Sequence, residues 1–141
     1  MRTLHVGLRV SRLARSLEFY SALGYLTIGT IEDTPIGKLT LLRLPDDEFA
    51  AIELVHDPGK GEVDLGTGLN HLVVQVEAMD ETLHALERAG IDHEPPIVDG
   101  DDGMQTCWLT DPDGYRIELV QWPAEHAAGF SDDDFPEPQS T

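Results

Sequence analysis

The chain repeats itself once, and that duplication limits its possible folds more than any other feature. It opens Leu4-His5-Val6-Gly7-Leu8-Arg9-Val10 and later reads Asn70-His71-Leu72-Val73-Val74-Gln75-Val76, which places the two histidines 66 positions apart. Both are apolar, β-prone runs led by histidine. A second pair of segments keeps nearly the same offset. These are Ile52-Glu53-Leu54-Val55 and Ile117-Glu118-Leu119-Val120, with glutamates 65 positions apart. Helical patterns follow the histidine strands, at 13–23 with Leu13, Leu17 and Tyr20 on one face, and at about 80–89 with Leu83 and Leu86 on the other helix's apolar face. Each stops at a glycine, Gly24 or Gly90, where a left-handed residue is wanted.

The pattern predicts an α+β fold made of two βαβββ units, at about 4–57 and 69–122, linked through Gly59 to Gly68. Two copies are too few for a solenoid, which needs three or more units of shorter period. Within the second unit, Asp111-Pro112-Asp113-Gly114 reads as a tight turn between strands at 106–109 and 115–120, because Pro presets φ and Gly takes the positive φ that follows. The length of 141 residues suits one domain, expected over 1–122. A hydrophobic content of 40% supplies a real core without disulfides or a structural zinc. Residues 123–141 change character, with Asp132-Asp133-Asp134 and Phe135-Pro136-Glu137-Pro138. Such an acidic tail is expected to be mobile, with Phe130 and Phe135 the apolar exceptions able to dock on the body.

Charge excludes several function classes. A net charge of −18 repels phosphate backbones, which argues against nucleic acid and against anionic membranes as partners. Its ordinary meaning is a solvated acidic surface. The N-terminus shows no apolar leader pattern, and no apolar run is long enough to span a membrane. The lone Cys107 fits a reducing cytosol, so a cytoplasmic location is expected.

The polar residues of the repeat carry the chemistry. In each unit the histidine opens the first strand and the glutamate sits midway along the last. If those strands are neighbours in a curved sheet, both side chains share its concave face, and two such sheets facing each other bring His5, Glu53, His71 and Glu118 together. Two imidazoles and two carboxylates suit one divalent ion of Ni, Zn, Co, Mn or Fe, with positions left for water or substrate. Taken singly, each is an ordinary solvent-facing strand residue. Their recurrence at matched offsets is what surface alternation does not predict. His56, His84, His93 and His126 are expected to be solvent-exposed, with His56 nearest the site's rim. Cys107 beside Trp108 reads as core rather than nucleophile. Phe19, Tyr20, Trp108 and Met104 could line a pocket but read mainly as core. No Gly-rich phosphate loop follows a strand.

These residues resemble the vicinal oxygen chelate superfamily (the glyoxalase/bleomycin resistance/dioxygenase fold), and within it the short bacterial glyoxalase I, or lactoylglutathione lyase, proteins. The resemblance covers residues 1 to about 122. It rests on the Leu-His-x-x-Leu-Arg-Val opening, Arg15-Ser16-Leu17-Glu18-Phe19-Tyr20, Ala51-Ile52-Glu53-Leu54, Asp64-Leu65-Gly66-Thr67 ahead of His71, and Asp111-Pro112-Asp113-Gly114-Tyr115-Arg116-Ile117-Glu118-Leu119. It implies a curved mixed-sheet cleft and a metal held by His5, Glu53, His71 and Glu118. The implied reaction isomerises the hemithioacetal of a 2-oxoaldehyde and a thiol, with Glu118 as base and Glu53 opposite it. It also implies a homodimer with sites between chains and Arg9 as a substrate-binding residue. Thiol transferases, epimerases, extradiol-type dioxygenases and small-molecule binding or resistance proteins of the same superfamily are the alternatives. The pattern departs at the thiol-binding end. Asp57 replaces an asparagine, and the loop Asp99-Gly100-Asp101-Asp102-Gly103 lacks an expected lysine. Acids there disfavour a thiol that carries two carboxylates, such as glutathione.

Overall fold

The computed structural model describes residues 1–135. Its first half runs β1 (Val6–Arg9), α1 (Leu13–Leu23), β2 (Leu26–Ile31), β3 (Lys38–Arg43) and β4 (Ile52–His56). The second runs β5 (Leu72–Gln75), α2 (Met79–Arg88), β6 (Ile97–Asp99), β7 (Met104–Thr110) and β8 (Arg116–Gln121). The two four-stranded sheets have the same topology, β1-β4-β3-β2 and β5-β8-β7-β6. In each, the first strand pairs parallel with the last, while the remaining pairs are antiparallel. The helix is the crossover that a parallel pair requires. The two βαβββ units are therefore present as expected.

Period-two alternation sets which face of each sheet is core. Ile52 and Leu54 on β4, and Ile117 and Leu119 on β8, are fully buried, whereas Glu53 and Glu118 between them are half-exposed. The buried side chains pack with α1 and α2 into one continuous cluster spanning both halves. Burying a large aliphatic side chain contributes about 1.5–3 kcal/mol, so this shared core is the main force holding the halves as one body. Both helices end as expected, with Gly24 at φ 112° and Gly90 at φ 74°.

The inward face of α1 is rotated from the expected one. Ser16, Phe19 and Tyr20 are buried, while Leu13 and Leu17 lie only partly buried at the margin. Aromatic packing and hydrogen bonding explain the rotation. Phe19 meets Tyr20 edge-on at 5.1 Å between centroids, and Tyr20 meets Tyr25 at 5.6 Å. The Ser16 hydroxyl donates to Asp113.

The Asp111–Gly114 turn is more than a hairpin, because it fastens the second half to the first. The Tyr20 hydroxyl donates to Asp111 Oδ2 at 2.7 Å, and Tyr115 donates to the Arg9 carbonyl at 2.8 Å. Asp113 accepts from the Ser11 amide and, at 3.2 Å, from Arg15. Burial raises the Asp111 pKa, against the lowering effect of the hydrogen bonds from Tyr20, Tyr115 and Asp113. Burial, then the neighbouring Asp111 charge, drives the Tyr20 phenol up as well.

Candidate active site

The duplicated topology delivers both histidine–glutamate pairs. Parallel pairing sets Gly7 opposite Glu53 and Val73 opposite Glu118. Each histidine stands one residue before its strand, His5 before β1 and His71 before β5. His5 Nε2 lies 3.6 Å from Glu53 Oε1, and His71 Nε2 lies 4.0 Å from Glu118 Oε2. All four side chains are partly exposed, by 28%, 17%, 31% and 22% in that order. They sit on the sheet faces turned away from the core.

The structure brings the residues of each pair together, but not the four. Among the described residues of one chain, no group of three or more histidine, cysteine, aspartate or glutamate side chains could hold a metal ion. The physical reason is the packing, since each sheet presents its pair on its own outward face while the opposite faces share the core. The donor sets nevertheless fit a divalent ion as halves. Nitrogen and oxygen donors bind such ions at about 2.0–2.2 Å, so one ion can touch both members of a pair 3.6–4.0 Å apart. Two donors make an incomplete shell, and a second pair would complete it.

The two half-sites are built differently. Opposite Glu53 stand Gly7 and, on β3, Leu41. A Cβ on Gly7 would come within 3.4 Å of Glu53 Oε2, so glycine leaves the carboxylate its room. Opposite Glu118 stand Val73 and, on β7, Trp108. The Trp108 ring meets the His71 ring edge-on at 4.9 Å, with the Arg116 guanidinium 5.0 Å from its centroid on the indole face. His71 Nδ1 lies 2.6 Å from Asn70 Oδ1. An amide oxygen only accepts, so Nδ1 is the donor and the neutral ring keeps its Nε2 lone pair toward Glu118.

Trp108 therefore belongs to the site rather than the core. Its register opposite Glu118, readable once β7 and β8 are paired, is the signal that places it. Met104, on the same face of β7, lines a cavity of about 390 Å³ together with His71 and Glu118. Phe19 and Tyr20 are core, as expected. Cys107 is fully buried, its thiol donating to the Glu94 carbonyl at 3.1 Å. Burial, then the Glu94 charge, raises its pKa and disfavours the thiolate.

Three of the four outlying histidines differ from expectation. His84 is exposed, but His56 is half-buried at the end of β4. The His93 side chain is only 13% exposed, held at Nδ1 by the Glu94 carbonyl at 2.7 Å and at Nε2 by Glu87 at 3.0 Å. Those two hydrogen bonds, the backbone one first, raise its pKa. His126 stacks on Trp122 and lies 2.8 Å from Asp134. Carboxylate partners account for the burial of both His93 and His126. Arg9 is engaged within the fold, its guanidinium donating to the carbonyls of Gly61 at 3.1 Å and Glu62 at 2.7 Å. Asp57 accepts from the Gly59 amide and caps a short turn at Pro58–Lys60. No described helix is long and apolar enough to cross a membrane.

Comparison with known proteins supports the fold. The family model described as Glyoxalase/Bleomycin resistance protein/Dioxygenase superfamily matches residues 2–119. A probable lactoylglutathione lyase of Synechocystis sp. is 35% identical over 127 residues, covering 86% of this chain and 95% of that protein. The lactoylglutathione lyase of Escherichia coli O157:H7 is 32% identical over 126 residues, covering 86% and 93%. Among solved structures, the trypanothione-dependent glyoxalase I of Leishmania major superposes with a TM-score of 0.70 at 25% identity, covering 86% of each chain.

Proposed function

The chain belongs to the Glyoxalase/Bleomycin resistance protein/Dioxygenase superfamily, and on that premise we propose how its residues carry out a glyoxalase I-like lyase reaction. The substrate is the hemithioacetal of a 2-oxoaldehyde and a thiol, and the product is a 2-hydroxyacyl thioester. The observation that carries this reading is the pair of equivalent half-sites, His5 with Glu53 and His71 with Glu118, at 3.6 and 4.0 Å. A thiol transferase or dioxygenase of the superfamily needs no carboxylate at the Glu53 position, whereas a symmetric two-carboxylate site does.

The active form is a homodimer, in which the His5–Glu53 half of one copy faces the His71–Glu118 half of another. The separation of the two pairs within one chain supports this arrangement. So do the apolar residues left exposed on the strands, including Val6, Ile28 and Val73. Together the four donors would hold one divalent ion. When bound, that ion supplies Lewis acidity for the oxygens of the reacting carbons.

Glu118 moves the proton. It takes hydrogen from the carbon bearing the thiol and hydroxyl, and returns it to the neighbouring carbonyl carbon. The electron pair follows, so the aldehyde-derived carbon becomes the thioester carbonyl and its neighbour gains the hydroxyl. The first carbon's hydroxyl gives up its proton as its oxygen becomes the carbonyl, and the neighbouring oxygen takes one up in exchange with solvent, so atoms and electrons balance and no oxidant is needed. Glu53 faces the same atoms from the other side. Trp108 and Val73 flank Glu118 with apolar surface, which a second copy would close against water. Asn70 holds the His71 ring in the orientation its role requires.

The thiol is one less anionic than glutathione. Two donors of Arg9 are already used by backbone carbonyls, and the loop at 99–103 adds carboxylates. The buried single Cys107 supports a reducing, cytoplasmic setting. Elemental analysis beside turnover tests the whole reading. About one divalent ion per chain is expected, lost in both Glu53→Gln and Glu118→Gln, with hemithioacetal turnover that is faster for a neutral thiol than for glutathione. No metal and no turnover with any adduct would reject it, leaving a binding protein of the same fold.

A further inference from the structure

Past β8 the chain doubles back across the face that carries His71 and Glu118. Trp122 stacks on the His126 ring with centroids 4.3 Å apart and planes 15° apart. Phe130 meets the same indole edge-on at 5.0 Å, and Phe135 leans on Phe130 at 5.5 Å. Two polar contacts pin this arrangement. His126 Nε2 lies 2.8 Å from Asp134 Oδ1, and Asp134 Oδ2 accepts from the Ser131 amide at 2.7 Å, closing a turn at Asp132–Asp134. Ordering a residue costs about 1–2 kcal/mol of backbone entropy, so a segment without such contacts would not hold one path.

Under this segment lies the cavity of about 390 Å³. His71 and Glu118 stand at one end, Val73 and Val120 form its floor, and Trp122 and Phe130 wall it. An apolar cavity of about 150 Å³ is enough to take benzene. The space beside Glu118 is therefore far larger than the methyl group of the smallest substituted oxoaldehyde requires. Phe130 remains 71% exposed despite its two aromatic contacts. A ligand in the cavity would cover part of that surface.

We propose that the folded segment 123–135 is a wall of the substrate site, and that Phe130 selects oxoaldehydes whose substituent is aryl or bulky alkyl. The inference rests on the glyoxalase-type reading above and names the substrate class of that site. The substituent projects from the carbon next to Glu118, along the floor, and ends against Phe130 and Trp122. The His126–Asp134 clasp positions Phe130 and touches no substrate.

The test compares kcat/KM for the hemithioacetals of phenylglyoxal and methylglyoxal, both formed with the thiol that wild type uses best. Wild type should favour the phenyl adduct. Phe130→Ala should lose about 10-fold or more on the phenyl adduct, within the 10–200-fold range of an apolar pocket contact, and stay within about two-fold on the methyl adduct. His126→Gln keeps Phe130 and loosens the clasp, so its loss should be smaller and equally selective. Equal change on both adducts, or a wild-type preference for the methyl adduct, overturns the inference alone. Wild type inactive on every adduct overturns the underlying reading and this inference with it.

Discussion

The two halves share a topology, yet they support their glutamates in opposite ways. Around Glu53 the strands supply glycine and leucine, and His5 is held through Glu53. Around Glu118 they supply valine and tryptophan, and His71 is fixed from behind by Asn70 and from the side by Trp108. Duplication kept the backbone geometry that places donors, while the surroundings diverged into an open half, where Gly7 leaves Glu53 room, and a walled half, where Trp108 stands against His71, the two carboxylates being similarly exposed. The carboxylate proposed to move the proton stands in the walled half, where Trp108 and Asn70 hold the geometry of its histidine partner. A carboxylate whose task is to bind can tolerate the open one.

The widest gap should show between the two glutamates. Glu118→Gln is expected to lower kcat/KM by about 10³-fold, within the range of general acid–base catalysis, and Glu53→Gln by about ten-fold less once metal is supplied in excess. Steady-state kinetics on metal-saturated variants measure this directly. Equal losses would make the halves chemically interchangeable and remove the distinction between them.

The support behind His71 should matter next. Asn70→Ala leaves Nδ1 without its acceptor, and loss of such an orienting hydrogen bond typically costs about 10–100-fold in metal affinity or activity. Leu4 holds the equivalent position before His5, so Leu4→Ala should change neither. Metal titration of both variants reads the asymmetry; parallel behaviour would mean that the Asn70 contact is incidental.

Much of this arrangement is legible in the sequence. The matched offsets of His5 with His71 and of Glu53 with Glu118 mark the duplicated unit, and alternation sets the face of each glutamate, because a one-residue slip would turn it into the core. Gly24 and Gly90 marked the helix ends. What could not be read was anything depending on cross-strand or inter-element contact. Trp108 looks like core until its register opposite Glu118 is known. His93 and His126 look exposed until Glu87 and Asp134 are seen beside them. The rotation of α1 follows from a tyrosine seeking Asp111, a partner 91 residues away. The separation of the two pairs is equally invisible, since a repeat shows that two surfaces match but not whether they face each other within one chain.

That Tyr20–Asp111 contact joins the halves and tests whether they are one cooperative unit. Tyr20→Phe should cost about 1–3 kcal/mol, the penalty of leaving a buried acceptor short of a donor, as a single urea transition moved to lower concentration. Two transitions would mean that the halves unfold separately. Asp111 also sets a pH dependence. Burial raises its folded pKa, so its share of stability is fully present below the ordinary carboxylate value of about 4 and is lost as pH rises through the raised value. Asp111→Asn should flatten that decline; an unchanged slope would assign it to other groups.

The smallest effect is the most pointed, because its two readouts should move in opposite directions. Gly7→Ala makes the open half resemble the walled one by a single methyl. In a strand, alanine in place of glycine is favoured by about 0.5–1 kcal/mol, so the melting temperature should rise slightly. The new Cβ would stand 3.4 Å from Glu53 Oε2, at the edge of ordinary van der Waals contact, so the carboxylate loses its free space on that side. Metal affinity should therefore fall a few-fold while stability climbs. If both rise together, the carboxylate has room to spare, and the openness of the first half is a relic of its sequence with no bearing on how Glu53 binds.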